Sequence, residues 1–119
     1  MNDTAQRIRF TVLISAQNFP YDQAIDFLTP RLSQQFAGAS FQKIDGTWSA
    51  DGHLDLEHYQ TGMIENGVLI RLSVMPEQQE VTYQSLQNTL QQMKNTLGLP
   101  IEWIHVETES VIAKHFQLD

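Results

Sequence analysis

Cysteine is absent from the 119 residues of the chain. Its absence excludes disulfide bonds, thiolate metal sites and cysteine nucleophiles, and it fits a reducing compartment. The opening residues, MNDTAQRIRF, contain no apolar stretch of signal-peptide length. No segment approaches the roughly 18 consecutive apolar residues that a membrane-spanning helix needs. We therefore expect a cytoplasmic protein that does not act at a membrane.

Basic side chains are scarce, with seven lysines and arginines against 14 aspartates and glutamates, a net charge of −7. They are scattered along the chain, at Arg7, Arg9, Arg31, Lys43, Arg71, Lys94 and Lys114. Recognition of nucleic acid or of anionic lipid requires clustered positive charge. We therefore expect neither as a partner, whereas an acidic chain is compatible with a basic protein surface.

The length and the residue balance predict one globular domain. A chain of this size forms a single core, and 41% hydrophobic with 18% charged residues is ordinary for such a fold. We place the core at about residues 7–109, followed by a short C-terminal tail, 110–119.

Apolar periodicity predicts the main elements. Alternation over residues 7–15, RIRFTVLIS, predicts a strand. Apolar residues spaced by three or four positions predict one helix from Tyr21 to about residue 36 and another over 83–97. In the first helix we expect a kink or restart at Pro30, with Thr29 as its N-cap. Gly98 is suited to a left-handed cap that ends the second helix.

The middle of the chain, residues 41–75, predicts two or three strands. The Asn66-Gly67 pair, flanked by apolar residues, is a strong signal for a tight turn. We therefore expect residues 58–65 and 68–75 to pair as a hairpin. A last strand is expected over 101–109, IEWIHVE and the two residues after it.

This order of elements predicts an α+β fold: a ferredoxin-like sandwich with two helices packed on one face of an antiparallel sheet and an added β-hairpin. The other face would then be open. If Ile104 and Val106 face the helices, the open face receives a set that is too apolar for water alone, and a second copy of the chain would cover it. That set includes Leu13, Leu69, Arg71, Met75, Trp103 and His105. The opposite parity, with Trp103 and His105 in the core, remains an alternative.

Two groups of side chains could carry chemistry, and the first of them lies on the open face. His105 could act as an acid or base and Arg71 could hold an anionic ligand, with Trp103 stacking beside them. The alternative is a structural one, in which His105 lies in an interface and Arg71 pairs with Glu107. Trp48, between two turn signals, either fills the end of the core or stacks on a flat ligand.

A metal site is a weaker hypothesis. His53, Asp55 and Glu57 are ligand types for zinc, iron or manganese and share one side of an extended segment. Their spacing matches no established closed site, so a solvated hairpin edge is favoured and no metal or other cofactor is expected. The chain also has no G-x-S-x-G, G-x-G-x-x-G or phosphate-loop motif.

The combination of FLTPRLSQQF, then DGTWSADG, then a long helix and IEWIHVE resembles a bacterial family of small ferredoxin-like domains of unknown function. The family's T-P-R-Φ segment, where Φ is apolar, is matched by Thr29-Pro30-Arg31-Leu32. Its G-x-W followed by D-G is matched by Gly46-Thr47-Trp48 and Asp51-Gly52. The resemblance covers about residues 8–108 and implies the fold. It implies no catalytic residue, because the family has no assigned activity.

Three functions therefore stay open. The favoured one is a non-enzymatic homodimeric binding or assembly module that holds a protein or a small ligand. The second is a cofactor-independent enzyme of the dimeric α+β barrel type, an isomerase, lyase or oxygenase, that uses His105 and Arg71. The third is an acidic regulatory or phage-type antagonist that blocks a basic partner surface.

Overall fold

A computed structural model describes residues 2–50 and 57–119 of the chain. The elements are β1 (Asn2–Ala16), α1 (Tyr21–Gln35), β2 (Ser40–Thr47), β3 (Ile64–Val74), α2 (Gln79–Leu97) and β4 (His105–Phe116), with a short 3-10 turn (Pro76–Gln78) before α2. In the described residues the strands form one sheet in the order β2-β3-β1-β4, and all neighbours are antiparallel. The predicted ferredoxin-like α+β fold is confirmed.

The hydrophobic core lies between one face of the sheet and the two helices. Its sheet side comes from alternate residues of the central strands, and its helix side comes from the two predicted stripes. These buried residues include Phe10, Val12, Ile14, Val68, Ile70 and Leu72 of the sheet, Leu28 and Leu32 of α1, and Leu86, Leu90 and Met93 of α2. Tyr83, expected as the first residue of the α2 stripe, is 41% exposed, because Thr82 takes the buried position there.

The last strand has the parity in which Val106 faces the helices. Val106 is opposite Val12 and packs against the core, whereas His105 is opposite Leu13 and is exposed. The expected bounds are wrong at both ends: residues 101–104 precede β4, and the strand continues to Phe116. Residues 110–116, expected as a tail, pair with residues 2–8 of β1.

The expected chain reversal at Asn66-Gly67 is wrong, since β3 runs through both residues. Gly67 lies so close to β1 that a Cβ there would come within 2.0 Å of the Ile14 carbonyl oxygen. This glycine permits a close approach of two backbones rather than a turn. The hairpin between β2 and β3 is connected by residues 48–63, and residues 57–63 form no strand.

The restart expected as one alternative at Pro30 does not occur, because helix α1 continues through this residue. Thr29 is not an N-cap. Its hydroxyl donates a hydrogen bond to the carbonyl of Ile25, one turn earlier in the same helix, at 2.7 Å. Of the two α-helices in the described part of the chain, α1 and α2, neither is both long and apolar enough to span a bilayer.

The predicted left-handed cap of α2 is confirmed and gives a test of the fold. Gly98 has φ 66° and ψ 39°, and a Cβ there would meet no atom within 4 Å. We expect Gly98→Ala to lower the free energy of unfolding by about 1–2 kcal/mol through backbone strain alone. Gly38 also has open space around it and no positive φ, so Gly38→Ala should be neutral or slightly stabilising. Urea unfolding measures both, and equal effects would contradict the assignment.

Candidate functional site

The sheet face opposite the helices, here called the open face, is covered by no helix or strand among the described residues. Its register places side chains in rows across the strands. In one row Leu13 lies between Leu69 and His105, and both leucines are half-buried. In the next row Thr11 lies between Arg71 and Glu107. The predicted apolar patch is therefore present as a pair of adjacent leucines, with the half-buried Ile44 of β2 one row away.

A cleft of about 960 Å³ lies at one end of the open face. Its walls come from the segment that follows β2, the start of β3 and the segment that precedes β4. The described residues that line it include Leu13, Ser15, Trp48, Tyr59, Met63, Glu65, Glu102, Trp103 and His105. We call this the tryptophan cleft. Its volume is in the range of pockets that hold small organic ligands.

Trp48 is fixed in the wall of the tryptophan cleft by a chain of two hydrogen bonds. Its indole Nε1 donates to Ser15 Oγ at 2.7 Å, and the Ser15 hydroxyl donates to Glu65 Oε1 at 2.9 Å. The ring lies against Gly46, where a Cβ would be 3.3 Å from the indole Cζ2. Three strands thus position one aromatic ring, which remains 42% exposed. Trp48 therefore does not fill the end of the core.

Trp103 enters the cleft from the opposite wall. It lies in the segment before β4, where Ile101 is buried and Ile104 packs against the core. These two isoleucines hold the backbone while the indole between them is 70% exposed. His105 begins β4, and its Nε2 lies 3.0 Å from Glu107 Oε2. IEWIHVE carries bulky residues on both sides because its first half anchors a loop and its second half is a strand.

The other predicted site residues lie elsewhere. Arg71 is outside the cleft, and its Nε donates a long 3.4 Å hydrogen bond to Thr11 Oγ1. Arg71 and His105 lie on strands either side of β1 and two residues out of register, which separates their Cα atoms by about 12 Å. Met75 follows β3 at its far end, about 20 Å along the strand from Leu69. The structure therefore gathers Leu13, Trp48, Trp103 and His105, with Leu69 alongside.

Two of the three candidate metal ligands, His53 and Asp55, lie outside the described residues. Glu57, the third candidate, is exposed. Among residues 2–50 and 57–119 taken together, no three histidine, aspartate or glutamate side chains lie close enough together to hold a metal ion.

Several residues of the cleft were missed from the sequence as site residues, among them Ser15, Tyr59, Glu65 and Glu102. Ser15 continues the alternation of β1 on the open face, so the signal for its position was present. Glu65 was not recognised because a turn was expected at the next two residues, Asn66 and Gly67. Tracing the alternation of β3 backward through Gly67 puts Glu65 on the same face as Ser15.

A scan against protein-family models and a search of curated proteins find no match to this chain. Among solved structures, a phage SAM lyase in complex with S-methyl-5′-thioadenosine is similar, with a TM-score of 0.53 and 15% identity over 90% of each chain. B. subtilis GlnK is similar with a TM-score of 0.46 and 13% identity, over 88% of this chain and 86% of GlnK. At this identity the phage enzyme shows a shared fold alone. The resemblance to bacterial domains of unknown function stays a prediction.

The Trp48–Ser15–Glu65 chain can be tested with Ser15→Ala in a Trp103→Phe background, where Trp48 is the only tryptophan. Loss of the hydroxyl removes both hydrogen bonds, so acrylamide should quench Trp48 more strongly and the free energy of unfolding should fall by about 1–2 kcal/mol. Ser73→Ala, at an exposed position of the same face, is the matched control and should change neither quantity. Unchanged quenching in Ser15→Ala would contradict the arrangement.

Proposed function

We propose that this protein is a non-enzymatic binding module that works as a homodimer, with a second copy against the open face and a small ligand in the tryptophan cleft. The observation that carries the proposal is the pair of half-buried leucines, Leu13 and Leu69, side by side on an otherwise uncovered sheet face. Covering apolar surface gains roughly 25 cal/mol per Å². In a two-fold contact each partner buries the same apolar patch, so this free energy is gained once for each partner.

The charges of the open face favour a second copy over a basic partner. Three of the seven basic residues share this face with three glutamates, although the whole chain has a net charge of −7. These are Arg7, Arg9 and Arg71, with Glu65, Glu107 and Glu109. Arg9 Nε already donates to Glu109 Oε1 at 2.9 Å. The face is therefore locally neutral, and two acidic chains can meet there with little repulsion.

The ends of β1 and β4 support the same conclusion. Residues 2–7 pair with β4 alone, so this part of the sheet is a two-stranded ribbon. Such a ribbon is marginally stable in water without a further contact. On the open face it carries the half-buried Ala5, Val111 and Ala113, which extend the surface available to a second copy.

We favour binding over catalysis because the two expected catalytic residues do not converge. His105 lines the cleft with Trp103, but Arg71 lies about 12 Å from His105 across β1, outside the cleft. A ligand held within the lining of the cleft would therefore contact His105 without Arg71. His105→Ala should therefore leave the dimer and the fold intact.

The dimer is tested by Leu69→Glu. A carboxylate in an apolar contact would be buried without a partner, so the variant should be a monomer at concentrations where the wild type is a dimer. Light scattering during size exclusion should give twice the chain mass of 13.6 kDa for the wild type and once that mass for the variant. Val81→Glu, at a 64% exposed position of α2, is the matched control and should stay dimeric. A monomeric wild type at high concentration would contradict the proposal.

The ligand-binding part is tested separately with S-methyl-5′-thioadenosine, the compound in the phage SAM lyase structure. Its flat purine is suited to stacking on an indole. In the Trp103→Phe background we expect saturable quenching of Trp48, and D-ribose, which lacks the base, should give none. Quenching by both compounds alike would show that the cleft does not select a flat ring.

A further inference from the structure

The lining of the tryptophan cleft has one sign of charge and three aromatic rings. Trp48, Tyr59 and Trp103 line it together with the carboxylates of Glu65 and Glu102. Among the described residues that line the cleft there is no lysine and no arginine. The one histidine of the described lining, His105, already contacts Glu107, which lies outside that lining.

Each of these features attracts positive charge. The face of an aromatic ring carries a partial negative charge, and tryptophan attracts cations most strongly. Glu65 is held in place by Ser15, so its carboxylate is fixed near the ring of Trp48 before a ligand arrives. The net charge of −7 raises the local concentration of cations around the molecule. The same groups would repel an anion.

The expected guanidinium for an anionic ligand, Arg71, lies outside the cleft. A metal ion fits the cleft poorly, because about 960 Å³ is far larger than an ion and three of the side chains that line it are aromatic. Aromatic walls suit a large, weakly hydrated cation, whose methyl groups can contact the rings while its charge faces the ring surfaces.

We propose that the tryptophan cleft selects organic cations, namely ligands whose positive charge lies on a methylated nitrogen or sulfur centre. This inference rests on the proposed function, since it names the ligand class of the same cleft. Trp48 and Trp103 provide the ring surfaces, and Glu65 provides the counter-charge.

Choline and 3,3-dimethylbutan-1-ol give a direct test, because they have nearly the same shape and differ in the charge of the central atom. Isothermal titration of the full chain should show choline binding about tenfold more tightly than the neutral alcohol. The difference should shrink as salt is raised, because an exposed carboxylate is screened. Equal affinities would overturn the proposal.

Variants at Trp103 separate attraction to a ring from simple apolar contact. Trp103→Phe keeps an aromatic face and should retain most of the preference for choline. Trp103→Leu should reduce the ratio of choline affinity to neutral-alcohol affinity about threefold or more. Both changes are at a 70% exposed side chain and should leave the fold intact. Equal loss in both variants would contradict a role for the ring.

Glu65→Gln tests the counter-charge while keeping the side-chain shape. It should weaken choline binding several-fold and leave the binding of 3,3-dimethylbutan-1-ol unchanged. Glu77→Gln, which removes the same charge at an exposed site beyond the far end of β3, is the matched control and should have no effect. If the affinity for choline is unchanged in both Glu65→Gln and Trp103→Leu, the cation binds elsewhere and the proposal is overturned.

The failure of this inference differs from the failure of the proposed function. If the thioadenosine probe binds and choline does not, the cleft is a ligand site without cation preference. Only the inference of cation selectivity is then wrong. If neither binds, ligand binding in the cleft falls as well. The dimer is judged by light scattering and is independent of both titrations.

Discussion

The strict alternation of β1 is the constraint on which the rest of the structure depends. This strand is paired on both edges, and its even-numbered residues Phe10, Val12 and Ile14 are fully buried under the helices. A shift of register by one residue would move these side chains to the opposite face and send Leu13 and Ser15 into the core. The core therefore fixes which residues can appear on the open face. The leucine pair and the anchor of Trp48 are both consequences of that assignment.

Periodic segments were predictable from the sequence because their signal is local. The alternation of β1 and the stripes of α1 and α2 are each contained within one element, and each formed an element of the expected type, although some bounds and single positions differ. The parity of β4 was open because IEWIHVE fits both assignments, and contact of Val106 with the core decides it. The shared face of Ser15 and Glu65 was accessible in principle, once β3 was traced as one strand.

Features that depend on distant residues were not predictable. Asn66-Gly67 has the composition of a turn, but Gly67 is required by the backbone of β1, which lies about fifty residues earlier in the chain. Residues 110–116 have no clear period of their own and form a strand because residues 2–8 pair with them. Pro30 suggested an interruption of α1, yet the burial of Leu28 and Leu32 on either side of it holds one continuous helix. Tertiary contacts outweighed local preference in each case.

The distribution of charge separates the two proposed roles of one surface. Along the open face outside the cleft, Arg7, Arg9 and Arg71 lie among Glu107 and Glu109, and this near balance suits contact with an identical acidic chain. In the tryptophan cleft, at the end of that face, the described lining has carboxylates without a basic residue, which suits a positively charged guest. Leu13 belongs to both regions, since it lies in the leucine pair and also lines the cleft. A second copy seated on the leucines would therefore border the cleft, exclude water from one of its walls and strengthen every electrostatic contact inside it. Self-association and ligand binding would then be linked through one residue of β1, and each would favour the other.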